Sequence, residues 1–232
     1  MSEENDKSTK LSQLAKLAQI KAEYINDRAG RTYAKIKYKG HNELYSLRGI
    51  NFENWLSTIN YKVFREIATS KLKLDVMLHL EGITRFSGET HDVVFRATGN
   101  EEYIEIDLGD NDWQSVYITK DGWQVSSHRS IFYRSQNTES LPIPDEAVKQ
   151  VNWFKSILNV EDKELSMLLN GWLIGCFMPK GPYPLLIIQG EQGSGKSFLA
   201  SMLRSIVDPN KADKTSLPTS ERELYVGSAE KV

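Results

Sequence analysis

Eight consecutive residues hold the densest chemistry in the sequence: Gly190, Glu191, Gln192, Gly193, Ser194, Gly195, Lys196 and Ser197. Glycines at 190, 193 and 195 tolerate backbone dihedrals that turn successive N–H groups inward, a lining suited to phosphate oxygens. A helix starting near Lys196 would add its unsatisfied amides and the positive end of its dipole. Lys196 is the candidate catalytic residue, its ammonium placed on the β- and γ-phosphates. The Ser197 hydroxyl would coordinate the bridging Mg²⁺, so ATP and Mg²⁺ are the expected cofactors and the whole octet the expected binding site.

Two flanking elements must position this octet. Leu185-Leu186-Ile187-Ile188 is a continuous apolar run, the reading of a strand buried on both faces of a parallel sheet. After the octet, Phe198, Leu199, Met202, Leu203 and Ile206 recur at helical spacing. Hydrolysis in P-loop enzymes also needs an acid at the tip of a second buried strand, with arginine and water-orienting groups. Asp208, Asp213, Glu221, Glu223 and Glu230 follow no such apolar run, and a parallel sheet needs several βα units where one is found. The motor domain is therefore expected to be incomplete and inactive alone: the chain is part of a longer protein, or something else completes the sheet.

Upstream, helices are expected at about 8–27, from Asn51, from Ser70, at 145–158 and at 161–178. A hairpin is expected from Tyr33–Lys37 and Glu43–Arg48 around Lys39-Gly40-His41-Asn42. Strands at Val93–Ala97, Tyr103–Leu108, Ser115–Thr119 and Trp123–Ser126 should form a small antiparallel sheet. Residues 135–145 carry two prolines and no periodicity, which reads as a linker. The expected fold class is α/β: an α+β accessory domain over 1–134, then helices in 146–232 leading into the first βα unit of an NTPase domain.

Lys plus Arg is 29 and Asp plus Glu is 31, so no whole-chain field attracts nucleic acid or a membrane. Locally, residues 21–73 hold eleven Lys or Arg against five acids, and 74–112 hold two against ten. Alternation puts Arg31, Tyr33, Lys35, Lys37 and Lys39 on one hairpin face. That strip reads either as a DNA-backbone track with a stacking ring or as lysines that deter edge aggregation. The acids at 101, 102, 105, 107, 110 and 112 read as a solvated strand and turn. Cys176 sits in an apolar pattern as a core residue, and His41, His79, His91 and His128 lack metal spacing. The acidic, polar N-terminus lacks the features of a secretory signal, and no apolar run is long enough to span a bilayer, so a cytoplasmic protein without membrane contact is expected.

The stretch Trp172-Leu173-Ile174-Gly175, Gly181-Pro182-Tyr183-Pro184-Leu185, the octet, Val207-Asp208-Pro209 and Leu217-Pro218 resembles phage and prophage ATP-binding proteins. These are similar to superfamily 3 and poxvirus-type primase–helicase ATPases. Tyr103–Asp110 with Thr119–Trp123 is similar to the region that precedes the ATPase there. The resemblance implies a homo-oligomeric ring acting on DNA during replication. A non-catalytic nucleotide-binding or assembly module and a small-molecule P-loop kinase are the alternatives.

Overall fold

The computed structural model describes residues 2–145, 163–183 and 185–211. These are a mixture of helices and several small sheets. The chain divides into two compact units, Met1–Val93 and Val94–Val232.

The first unit begins with α1 (Ser2–Lys21), followed at once by β1 (Ala22–Asn26), β2 (Thr32–Tyr38) and β3 (His41–Ser46). The expected helix over 8–27 is therefore displaced: it starts six residues too late and runs six residues too far. From Ala22 the chain pairs antiparallel with β2, from Ala22 opposite Ile36 to Asn26 opposite Thr32, and those ladder bonds override the local helical pattern. Tyr24, inside the range expected to be helical, lies on β1 with its ring edge-on to Phe52. Lys39 and Gly40 alone connect β2 to β3, both at positive φ, which matches the right-handed twist of the strands. Next come α2 (Ile50–Phe64) and α3 (Ser70–Ser87), then β4 (Glu89–Thr90), which pairs parallel with β1. Leu14, Ala18, Ile36, Phe52, Leu56, Val76 and Leu80 form the core between helices and sheet.

Thr69 caps α3 by accepting a hydrogen bond from the Leu72 amide. Thr69→Ala should lower the stability of the chain by about 1 kcal/mol, read as an earlier urea midpoint. An unchanged midpoint would show that water replaces the cap at no cost.

β5 (Val93–Val94), whose Val94 begins the second unit, pairs with β10 (Ile131–Phe132), and Tyr133 donates to the Val94 carbonyl. The small antiparallel sheet is β6 (Ala97–Gly99), β7 (Tyr103–Asp107), β8 (Gln114–Thr119) and β9 (Gly122–Ser127), in chain order. Along β7 the side chains alternate: Ile106 faces an apolar cavity with Val116, Ile118 and Trp123, while Glu105 and Asp107 point to the other face. There both carboxylates are fully buried, which corrects the expectation of a solvated strand. Glu105 accepts from Ser115 Oγ, Ser130 Oγ and the Arg129 amide. Asp107 takes His128 Nε2 at 2.9 Å and Arg134 Nε at 2.9 Å. Two helices follow, α4 (Lys163–Cys176) and α5 (Lys196–Val207). The helix expected at 145–158 lies, but for its first residue, outside the described residues. No helix of the described residues is long and apolar enough to cross a membrane.

Candidate nucleotide site

Helix α5 is anchored by its apolar side. Leu203 is buried against Leu173 of α4, with Leu169, Trp172, Ile188, Leu199, Met202 and Ile206 around them. This packing leaves the N-terminal end of α5 and the loop before it at the surface, where Gly190 through Gly195 and Ser197 are all exposed and Lys196 is half-buried.

The loop turns as the glycine spacing requires. Gly190, Gly193 and Gly195 take φ values of 159°, 84° and 82°. A Cβ at Gly190 would stand 2.8 Å from Ser194 Oγ, so a side chain there would have to turn the serine hydroxyl aside, and the positive φ adds to the preference for glycine. At Gly193 and Gly195 a side chain would meet nothing, and the positive φ alone favours glycine. Gly195 is the N-cap of α5 with no side-chain cap, and its carbonyl accepts from the Leu199 amide. The first turn of the helix therefore presents amide donors towards the loop.

Lys196 folds back over the turn. Its Nζ donates to the Gly190 carbonyl at 2.8 Å, to the Glu191 carbonyl and to Ser194 Oγ. The ammonium, three glycines in unusual conformations and a helix N-terminus thus meet within one octet. Glu191 and Gln192 contribute backbone to the turn, the Glu191 carbonyl also accepting from the Ser194 amide. Ser197 stands on the first turn of α5, one residue after the lysine.

Among the described residues the strand expected before the octet is not formed. Leu185–Ile188 lies outside any helix or ladder among the described residues, with Leu185 92% and Ile187 75% exposed. A buried parallel strand exists only when neighbours satisfy its N–H and C=O groups on both sides, and the described residues bring none to this run. Ile188 alone of the four joins the α4–α5 cluster.

The basic strip of the hairpin is rearranged. Tyr33 is 3% exposed, with its hydroxyl towards Asp27, so its ring is not available for stacking on a base. Arg31 pairs with Asp27 at 2.6 Å and Lys35 with Glu23 at 3.0 Å. Elsewhere in the first unit Arg28, Arg48 and Lys73 pair with Asp92, Glu81 and Glu53. Of these acids only Asp92 and Glu81 lie outside residues 21–73, so Arg28 and Arg48 alone lose part of the positive excess read there to acids from beyond that segment. Lys37 and Lys39 remain exposed at the hairpin tip, where Lys39 Nζ lies 5.4 Å from the centroid of the Tyr38 ring. Sequence alternation chose the wrong tyrosine: Tyr38 is the half-exposed ring.

No cluster of three or more His, Cys, Asp or Glu able to hold a metal occurs among the described residues. Cys176 is half-buried, and burial raises the pKa of its thiol.

No curated protein matches the chain. Residues 151–231, which include α4, the glycine octet and α5, match the family model of the actinomycete integrative conjugative element replication protein, a mobile-element replication family.

Proposed function

We propose that this chain binds Mg-ATP through residues 190–197 and contributes to an ATPase that serves replication of a mobile genetic element. The observation that carries the reading is the octet itself. Three glycines at positive φ, a helix starting at Lys196 and the lysine ammonium over the turn form a donor set that suits a polyphosphate. The match over residues 151–231 supports the replication setting.

Within this reading the loop amides and the first turn of α5 hold phosphate oxygens by charge-assisted hydrogen bonds. Lys196 exchanges its present carbonyl and hydroxyl partners for the triphosphate. Ser197 offers its hydroxyl to the magnesium ion. The role of these residues is to bind and orient, since phosphoryl transfer draws mostly on positioning and electrostatic stabilisation. DNA is the proposed partner and a homo-oligomeric ring the proposed assembly, both following from the resemblance to primase–helicase ATPases.

Titration of Mg-ATP into the chain tests the reading, with turnover measured alongside in the presence and absence of single-stranded DNA. Saturable binding with DNA-stimulated turnover fits a replication ATPase. Binding without turnover leaves a nucleotide-binding module, and phosphate transfer to a metabolite would make it a kinase. Absence of binding refutes the proposal.

A further inference from the structure

The far end of α5 is held as specifically as its phosphate end. Asp208 is the C-cap of the helix, where a carboxylate meets the negative end of the helix dipole and is disfavoured unless paired. Its closer partner is Arg96, just before β6, whose Nε and Nη2 lie 2.9 and 2.8 Å from Asp208 Oδ1, while Arg204 Nη2 on α5 itself stands 4.0 Å from Oδ2. Arg96 is 3% exposed, an unusual position for a guanidinium that a matched set of acceptors explains. Nη1 donates to the Asp107 carbonyl of β7, and Nη2 to the Glu139 and Pro209 carbonyls. One side chain thereby joins the antiparallel sheet, the segment read as a linker and the exit of α5.

That segment is a strap. Thr138 bridges to Asn210, Glu139 donates to the Pro209 carbonyl, Lys211 donates to the Asn137 carbonyl, and Leu141 donates to the Leu108 carbonyl. Space for the guanidinium depends on Gly109, at φ 66°, where a Cβ would lie 2.8 Å from Arg96 Nη1 and 2.7 Å from the Glu139 oxygen.

We infer that Arg96 and Asp208 are a positioning pair for the nucleotide loop, fixing α5 at its C-terminal end so that its N-terminal amides and Lys196 are held in place for phosphate. A helix transmits displacement along its axis as a stiff rod, so release at Asp208 reaches Lys196 one helix length away. The inference rests on the Mg-ATP reading of the octet and adds the small sheet as a structural support of that site.

Calorimetric titration of Mg-ATP into the wild-type chain, Asp208→Asn, Arg96→Lys and the double variant provides the test. Asp208→Asn keeps the size of the side chain and an acceptor oxygen, and Arg96→Lys keeps the charge without the fork. Each single variant should weaken binding about tenfold. The double should bind no more weakly than the weaker single, as expected of two groups acting through one contact. Both singles folding by circular dichroism and binding as the wild type does would overturn the inference. Failure of the wild type to bind would instead remove the nucleotide reading on which it rests. Should a variant not fold, hydrogen exchange of the wild type decides. Saturating Mg-ATP slows the Glu139 and Lys211 amides if the pair couples strap to loop, and unchanged rates there beside protected loop amides overturn it.

Discussion

Lys196→Ala is expected to weaken Mg-ATP binding by about ten- to a hundredfold, since a charge-assisted hydrogen bond contributes about 1.5–3 kcal/mol. The fold should tolerate the change. The present partners of the ammonium are loop oxygens at the surface, which water satisfies when the lysine is gone. Titration calorimetry and a urea melt on the same preparation separate the two effects. Lost affinity with an unchanged urea midpoint fits the account, whereas unchanged affinity makes the lysine a surface residue and the loop an ordinary turn. Arginine at this position should not rescue, because a planar fork cannot take the place of a compact ammonium on a flexible stem.

The second large effect lies on the buried face of the small sheet. Asp107→Ala should cost about 3 kcal/mol, because removing one member of a buried ion pair leaves charge without compensation. Asp107 is fully buried, and the Arg134 side chain, which also lies over the Trp113 ring, is only 10% exposed. Burial by itself would raise the pKa of the Asp107 carboxyl. Hydrogen bonds from His128 and Arg134 outweigh that and hold it at about 2, below its ordinary 3.8. A lowered pKa in the folded state stabilises the fold above the unfolded value of about 4 and ceases to do so as pH falls through about 2. The contribution is about 2 kcal/mol. Stability measured between pH 5 and pH 2 should therefore fall more steeply in the wild type than in Asp107→Asn. Parallel curves would mean that the carboxylate is not the group that titrates.

What the sequence disclosed depended on how local the cause was. The hairpin was legible because Lys39-Gly40 is a turn between alternating strands, and α2 and α3 because their apolar spacing lies within single segments. β1 was hidden because Ala22–Asn26 carries a helical pattern until β2 offers it a ladder. The burial of Glu105 and Asp107 was hidden for a related reason, their partners Arg129, Ser130, His128 and Arg134 standing more than twenty residues downstream. One signal was available: alternation sets Ile104, Ile106 and Leu108 against Tyr103, Glu105 and Asp107, so the second face could be covered as well as the first.

The octet is the opposite case. Gly190, Gly193 and Gly195 take positive φ because each turn requires it, and the spacing of the glycines alone was enough to expect that. The strand before the octet failed because a buried parallel strand is a property of its neighbours rather than of Leu185–Ile188. Tyr33 failed as a stacking ring in the same way: alternation assigned it a face, and packing buries its ring at the Asp27 end of that face while Lys37 and Lys39 stay exposed at the tip.

Hydrogen exchange across residues 190–199, followed by mass spectrometry with and without Mg-ATP, tests the central claim most directly. The account predicts slower exchange of the octet and first-turn amides with Mg-ATP and no such slowing with Mg-AMP, which lacks the β- and γ-phosphates. Equal exchange in all three states would contradict it.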